Sequence, residues 1–106
     1  GRDPNNLLTM LDTWWNGDVG LTPGHASTEA ALASIKARAI VMPAEKDLYF
    51  PPEDEAWAVS QMTGCTVEHR VIPGVWGHFA GGGANDVDTK FIDRAVAELL
   101  AADPGI

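Results

Sequence analysis

Two short strand-like segments with a helix between them constrain this chain more than any other feature. Ala39 to Met42 form a continuous apolar run inside RAIVMP, the pattern of a strand covered on both faces of a parallel sheet. Residues 66 to 72, TVEHRVI, instead alternate Val67, His69 and Val71 with Glu68, Arg70 and Ile72, which predicts a half-exposed strand nearer a sheet edge. Between them Pro51-Pro52 and then Glu53, Asp54 and Glu55 make a strong helix start, because proline is tolerated in the first turn and carboxylates favour the positive end of the helix dipole. That helix is expected to run to about Met62 and to end at Gly64. Strand, helix, strand in this order gives one parallel, right-handed βαβ crossover.

Helices flank the crossover. Asp3-Pro4 reads as an N-cap with proline in the first turn, and Leu7, Leu8, Leu11, Trp14 and Trp15 fall on one stripe of a helix over residues 4 to 15; the stripe reads as core packing rather than a binding box. Residues 16 to 27 are loop-forming, and a short helix is expected from Thr28 to Lys36. Phe91, Ile92, Ala95, Val96, Leu99 and Leu100 define a closing helix capped by Asp86 or Asp88. The fold class is α/β: a parallel βαβ unit with flanking helices.

Composition sets the outer bounds. A chain of 106 residues with 45% hydrophobic content supports at most one small domain. Seven basic against 15 acidic residues, net charge −8, opposes the phosphate neutralisation that nucleic-acid binding depends on. No apolar run approaches the roughly 20 residues a bilayer span requires, and the first residues lack the order of a signal peptide. The lone Cys65 cannot form an internal disulfide, so a cytoplasmic location is the default expectation.

The chemistry is expected in the two loops that leave the carboxyl ends of the strands, where open parallel sheets place their sites. EKDLYFPP contains Asp47 and PGVWGHFAGGGAND contains His78. Neighbouring parallel strands lie about 4.8 Å apart, so an aspartate and a histidine just past adjacent strand ends can meet. An aspartate bonded to one imidazole nitrogen fixes the tautomer and leaves the other nitrogen free to take a proton from a serine or cysteine. The plain alternative is a turn aspartate and a loop histidine satisfied by backbone groups.

The run from ALASIKARAIVMPAEKDLYFPPEDE to VWGHFAGGG resembles the carboxyl-terminal portion of an α/β-hydrolase fold, in the homoserine O-acetyltransferase-like branch. RDPNNLLTMLDTWWNGDVG resembles the helical segment that precedes it there. The resemblance implies a lid-like helix and loop over residues 1–27 and the βαβα part of the core over 28–106. It also makes Asp47 the acid and His78 the base of a nucleophile-acid-base triad. The chain contains no Gly-x-Ser-x-Gly elbow, and the Ser, Asp, His order of that fold puts the serine before Gly1. Phe79 follows His78 where the acetyltransferases commonly carry an acid, which favours hydrolysis over acyl transfer to an amino-acid acceptor.

The implied function is acyl-enzyme chemistry on a small ester or thioester, with no cofactor, with the amino-terminal part of the same enzyme as partner, and with no activity in this chain alone. Acyl transfer of the homoserine type and a truncated, non-catalytic binding module are the alternatives. Trp76 and Phe79 are the candidate substrate-binding residues, Trp76 being equally readable as core. His25, His69 and Cys65 lack the short spacing of a zinc site, and Cys65 reads as a packing residue. Gly81, Gly82 and Gly83 read as flexible loop. The strand edge beside residues 39 to 42, without a second neighbour in this chain, predicts pairing with another chain or a second copy.

Overall fold

The computed structural model describes residues 1–103. It is a mixed α/β chain whose sheet has two parallel strands, β1 (Ala39–Val41) and β2 (Val67–His69). Ala39 pairs with Val67 and Val41 with His69, and the isolated bridge Ala44 to Ile72 continues the same 28-residue offset. The ladder also extends through the amide hydrogens, Arg70 donating to Val41, Ile72 to Pro43 and Glu45 to Ile72. Pro43 has no N–H, so it interrupts the regular pattern between β1 and the bridge.

Helix α1 (Pro4–Trp15) begins as expected, with the Asp3 carboxylate accepting from the Asn5 amide. Its apolar stripe is not core, however: α1 has no buried residue, and Trp15 is 84% exposed. Helical periodicity reports that one face is apolar, but not that this chain covers it. Residues 16–27 contain a single 3-10 turn (Val19–Leu21), held to α2 (Thr28–Ala33) by the Thr28 hydroxyl donating to Asp18 at 2.7 Å.

α2 stops at Ala33, short of Lys36, because Ser34 turns its hydroxyl back onto the Ala31 carbonyl at 2.6 Å. α3 (Pro52–Gln61) ends at a Met62 cap rather than at Gly64. Gly64 serves close packing instead: a Cβ there would lie 2.2 Å from the Ala33 carbonyl oxygen.

α4 (Asp86–Ala101) is capped by neither Asp86 nor Asp88. Asn85 takes that place, accepting from the Asp88 amide at 2.8 Å. Asp88, only 1% exposed, receives the Asn85 side-chain amide at 2.9 Å and packs against Gly74. Gly77–Gly82 form a 3-10 helix rather than flexible loop, closed by Gly83 in the left-handed region.

The core is small. Ala44, Ile72 and Ala80 are buried together, with Met42, Phe91 and Ile92 packed around them. Ala44 and Ala80 follow β1 and precede the end of the 3-10 helix, so their small side chains let both loops close over Ile72, whose burial contributes about 2 kcal/mol. β1 is half-buried rather than covered on both faces, and among the described residues it has one sheet neighbour. The radius of gyration is 16.1 Å, against about 13 Å for a compact domain of this length. Much of the apolar surface of the chain is therefore exposed.

Candidate active site

The register of the sheet carries its two carboxyl-end loops to one place. Asp47 stands three residues beyond Ala44, and its amide donates to the Ala44 carbonyl at 3.0 Å, tightening the turn. Its Oδ1 accepts from the amides of Tyr49 at 2.7 Å and Phe50 at 3.1 Å. Those bonds fix the carboxylate and leave Oδ2 to meet His78 Nδ1 at 3.1 Å.

Burial pushes the Asp47 carboxyl up. The amides of Phe50 and Tyr49, then the bond to His78 and its charge, outweigh burial and hold the group below its ordinary value of 3.8. Asp47 is thus an acceptor near neutrality, so Nδ1 of His78 must donate. In the neutral imidazole the lone pair then resides on Nε2.

Gly77 is the residue that allows this approach. Its φ of +54° lies in the left-handed region, and a Cβ there would sit 2.8 Å from the Lys46 carbonyl oxygen. Glycine satisfies both conditions, whereas any other residue meets strain and a backbone clash. In the sequence Gly77 is visible only as part of the run VWGHFAGGG.

The His78 ring is further contacted by two aromatic side chains from the Asp47 turn. Tyr49 lies at a centroid distance of 4.7 Å and Phe50 stacks at 5.6 Å with an interplanar angle of 30°. Trp14 of α1 touches both, at 6.0 Å from Tyr49 and 5.8 Å from Phe50. None of the three was singled out for the site from sequence. The available signal was the aromatic pair placed directly between Asp47 and the Pro-Pro helix start.

Beside the pair opens a cavity of about 370 Å³, lined by Met42, Phe50, Glu55, Ile92, Asp47 and His78 among others. Trp76 and Phe79 lie outside its lining. Phe79 is 70% exposed and meets His78 edge-on at 6.1 Å, while Trp76 is about half-exposed. Among the described residues no three His, Cys, Asp or Glu side chains cluster to hold a metal ion, and no helix is long and apolar enough to cross a membrane.

The chain is similar to two curated hydrolases. Over 98 residues it is 35% identical to a protein of Corynebacterium glutamicum named a probable esterase, covering 92% of this chain and 27% of that relative. Over 108 residues it is 33% identical to the ethyl acetate hydrolase of Pseudomonas veronii, covering 94% of this chain and 28% of the relative. The chain therefore spans little more than a quarter of the length of these relatives. No family model matches it. No solved structure matches it either.

Proposed function

We propose that this chain is the carboxyl-terminal part of a serine-dependent ester hydrolase of the α/β-hydrolase type, and that Asp47 and His78 are its triad acid and base. The observation that carries this reading is the 3.1 Å contact between Asp47 Oδ2 and His78 Nδ1 at the carboxyl edge of two parallel strands. The similarity to an esterase and an ethyl acetate hydrolase supports the same class.

In this reading a serine in another part of the polypeptide attacks the ester carbonyl carbon while its proton passes to His78 Nε2. The carbon–alkoxide bond then breaks and Nε2 returns that proton to the leaving oxygen. Water completes the cycle by the same route, with His78 as base. Asp47 holds the imidazole in the tautomer the first step requires and stabilises the imidazolium it forms. Residues 1–27 belong to a lid-side segment, a role supported by the Trp14 contact with Tyr49 and Phe50. The sequence assigned 28–106 to the core, of which residues 104–106 lie outside the described residues.

Hydrolysis is favoured over acetyl transfer to homoserine. The exposed phenyl ring of Phe79 offers an acceptor's ammonium no carboxylate, and desolvating that charge without a partner is unfavourable. The test is hydrolysis of ethyl acetate and of a short nitrophenyl ester by the whole polypeptide that carries this sequence. Loss of turnover in His78→Ala, with retention in His69→Ala, is the expected result. Full turnover in His78→Ala, or rapid O-acetylhomoserine formation with slow ester hydrolysis, would overturn the reading. The 106-residue chain alone is expected to release no alcohol above background.

A further inference from the structure

The turn Asp47-Leu48-Tyr49-Phe50 does two things with the same two residues. The amides of Tyr49 and Phe50 hold one carboxylate oxygen of Asp47, and their rings touch the imidazole to which the other oxygen is bonded. His78 otherwise has weak support: its side chain is 42% exposed, Asp47 is the partner of its one ring-nitrogen bond among the described residues, and its exposed chain neighbour Phe79 meets it only edge-on at 6.1 Å. A single hydrogen bond leaves an imidazole free to swing about the bond axis. Two ring contacts remove that freedom.

We infer that Tyr49 and Phe50 are positioning residues for His78, buttressing its ring from the turn that holds Asp47, and that Trp14 of α1 braces them in turn. This rests on the assignment of His78 as the general base. The chemical reason is that proton transfer between serine and Nε2 depends on the direction of the imidazole edge, and a misplacement of about 1 Å can cost on the order of 100-fold in rate. The stacked ring of Phe50 also presents a π face to the imidazolium formed during turnover. Leu48, next to them in the turn and 94% exposed, has no such contact and serves as the internal control.

The test uses the whole enzyme with Tyr49→Leu, Phe50→Leu, Trp14→Leu, the conservative Tyr49→Phe, Phe50→Tyr and Trp14→Phe, and Leu48→Ala. For a short ester, Phe50→Leu and Tyr49→Leu are expected to lower kcat by about tenfold or more with KM changed less than about twofold, since only the reacting geometry is lost. Trp14→Leu is expected to lower kcat less, because it acts through both rings. The conservative variants should recover most of kcat, and Leu48→Ala should match the parent.

Unchanged kcat in the leucine variants, or a rise in KM at constant kcat, would overturn the inference and leave the aromatics as substrate wall or packing. A second readout depends neither on turnover nor on the leucine variants folding. In the parent protein the carbon-bound protons of the His78 ring should show ring-current shifts in NMR, assigned by their absence in His78→Gln; unshifted resonances overturn the contact itself. If His78→Ala remained active, the catalytic assignment would fail, and ring-current shifts would then mark the contact as structural and refute its positioning role.

Discussion

Three glycines near the site differ in what they require, and alanine at each isolates one requirement. Gly82 has an ordinary φ and open space, Gly83 has a φ of +74° with open space, and Gly77 combines a φ of +54° with a Cβ position 2.8 Å from the Lys46 carbonyl oxygen. Gly82→Ala is therefore expected to lie within about 0.5 kcal/mol of the parent. Gly83→Ala meets the left-handed penalty of about 1–2 kcal/mol. Gly77→Ala adds overpacking against a backbone atom, a further 1–3 kcal/mol or about 2–5 kcal/mol in all. Equilibrium urea unfolding followed by tryptophan fluorescence gives the order directly. In the proposed whole hydrolase, Gly77→Ala should also lower kcat more than Gly83→Ala, because the clash lies between the loop of His78 and the residue before Asp47. Equal midpoints for Gly77→Ala and Gly82→Ala would refute the claim that the two loops touch through this residue.

Asp47→Asn places an amide where the carboxylate accepts from Nδ1, so the favoured tautomer reverses; kcat of the whole enzyme is expected to fall on the order of 10⁴-fold, with Asp54→Asn near parental. The Asp47 carboxyl is held below 3.8, so its stabilising contribution is complete above the ordinary value and is lost as pH falls through the lowered one. Urea midpoints of parent and Asp47→Asn should accordingly differ at pH 5–7 and converge below about pH 3.8; a gap that persists in full at lower pH contradicts the sign. The edge of β1 that has no strand neighbour among the described residues and the exposed apolar stripe of α1 predict self-association of the isolated 106-residue chain, measured by light scattering, and a monomer at high concentration counts against it.

The crossover and the Asp47–His78 meeting were legible because both follow from local signals: a four-residue apolar run, an alternating run, and a Pro-Pro start between them. The apolar stripe of α1 was read correctly as a stripe but wrongly as core, since periodicity carries no information on what lies opposite. Asp86 and Asp88 are the cap candidates that sequence offers because an aspartate directly before an apolar-periodic run is a common N-cap, yet Asp88 is buried. Its burial depends on Gly74 arriving from 14 residues earlier, a tertiary coincidence that no window of sequence contains. The 3-10 helix over Gly77–Gly82 was hidden by the low helical propensity of glycine, and it forms where Ala80 packs onto Ile72. Trp14, Tyr49 and Phe50 were missed at the site because their grouping depends on how α1 lies against the Asp47 turn.

The Ala44 to Ile72 bridge implies which lengths evolution and engineering can change. From that fixed point Asp47 is three residues away and His78 six, so one inserted or deleted residue in either span rotates Asp47 or His78 away from its partner. The crossover between Pro52 and Thr66 is under no such restriction. α3 returns the chain to the sheet wherever its helix ends, provided that Gly64 still meets the end of α2. Insertions should therefore accumulate around residues 61–63 and be purged from 45–47 and 73–77. A library of single-residue insertions, scored for retained turnover in the whole enzyme, would show that pattern as two short forbidden intervals separated by a permissive one.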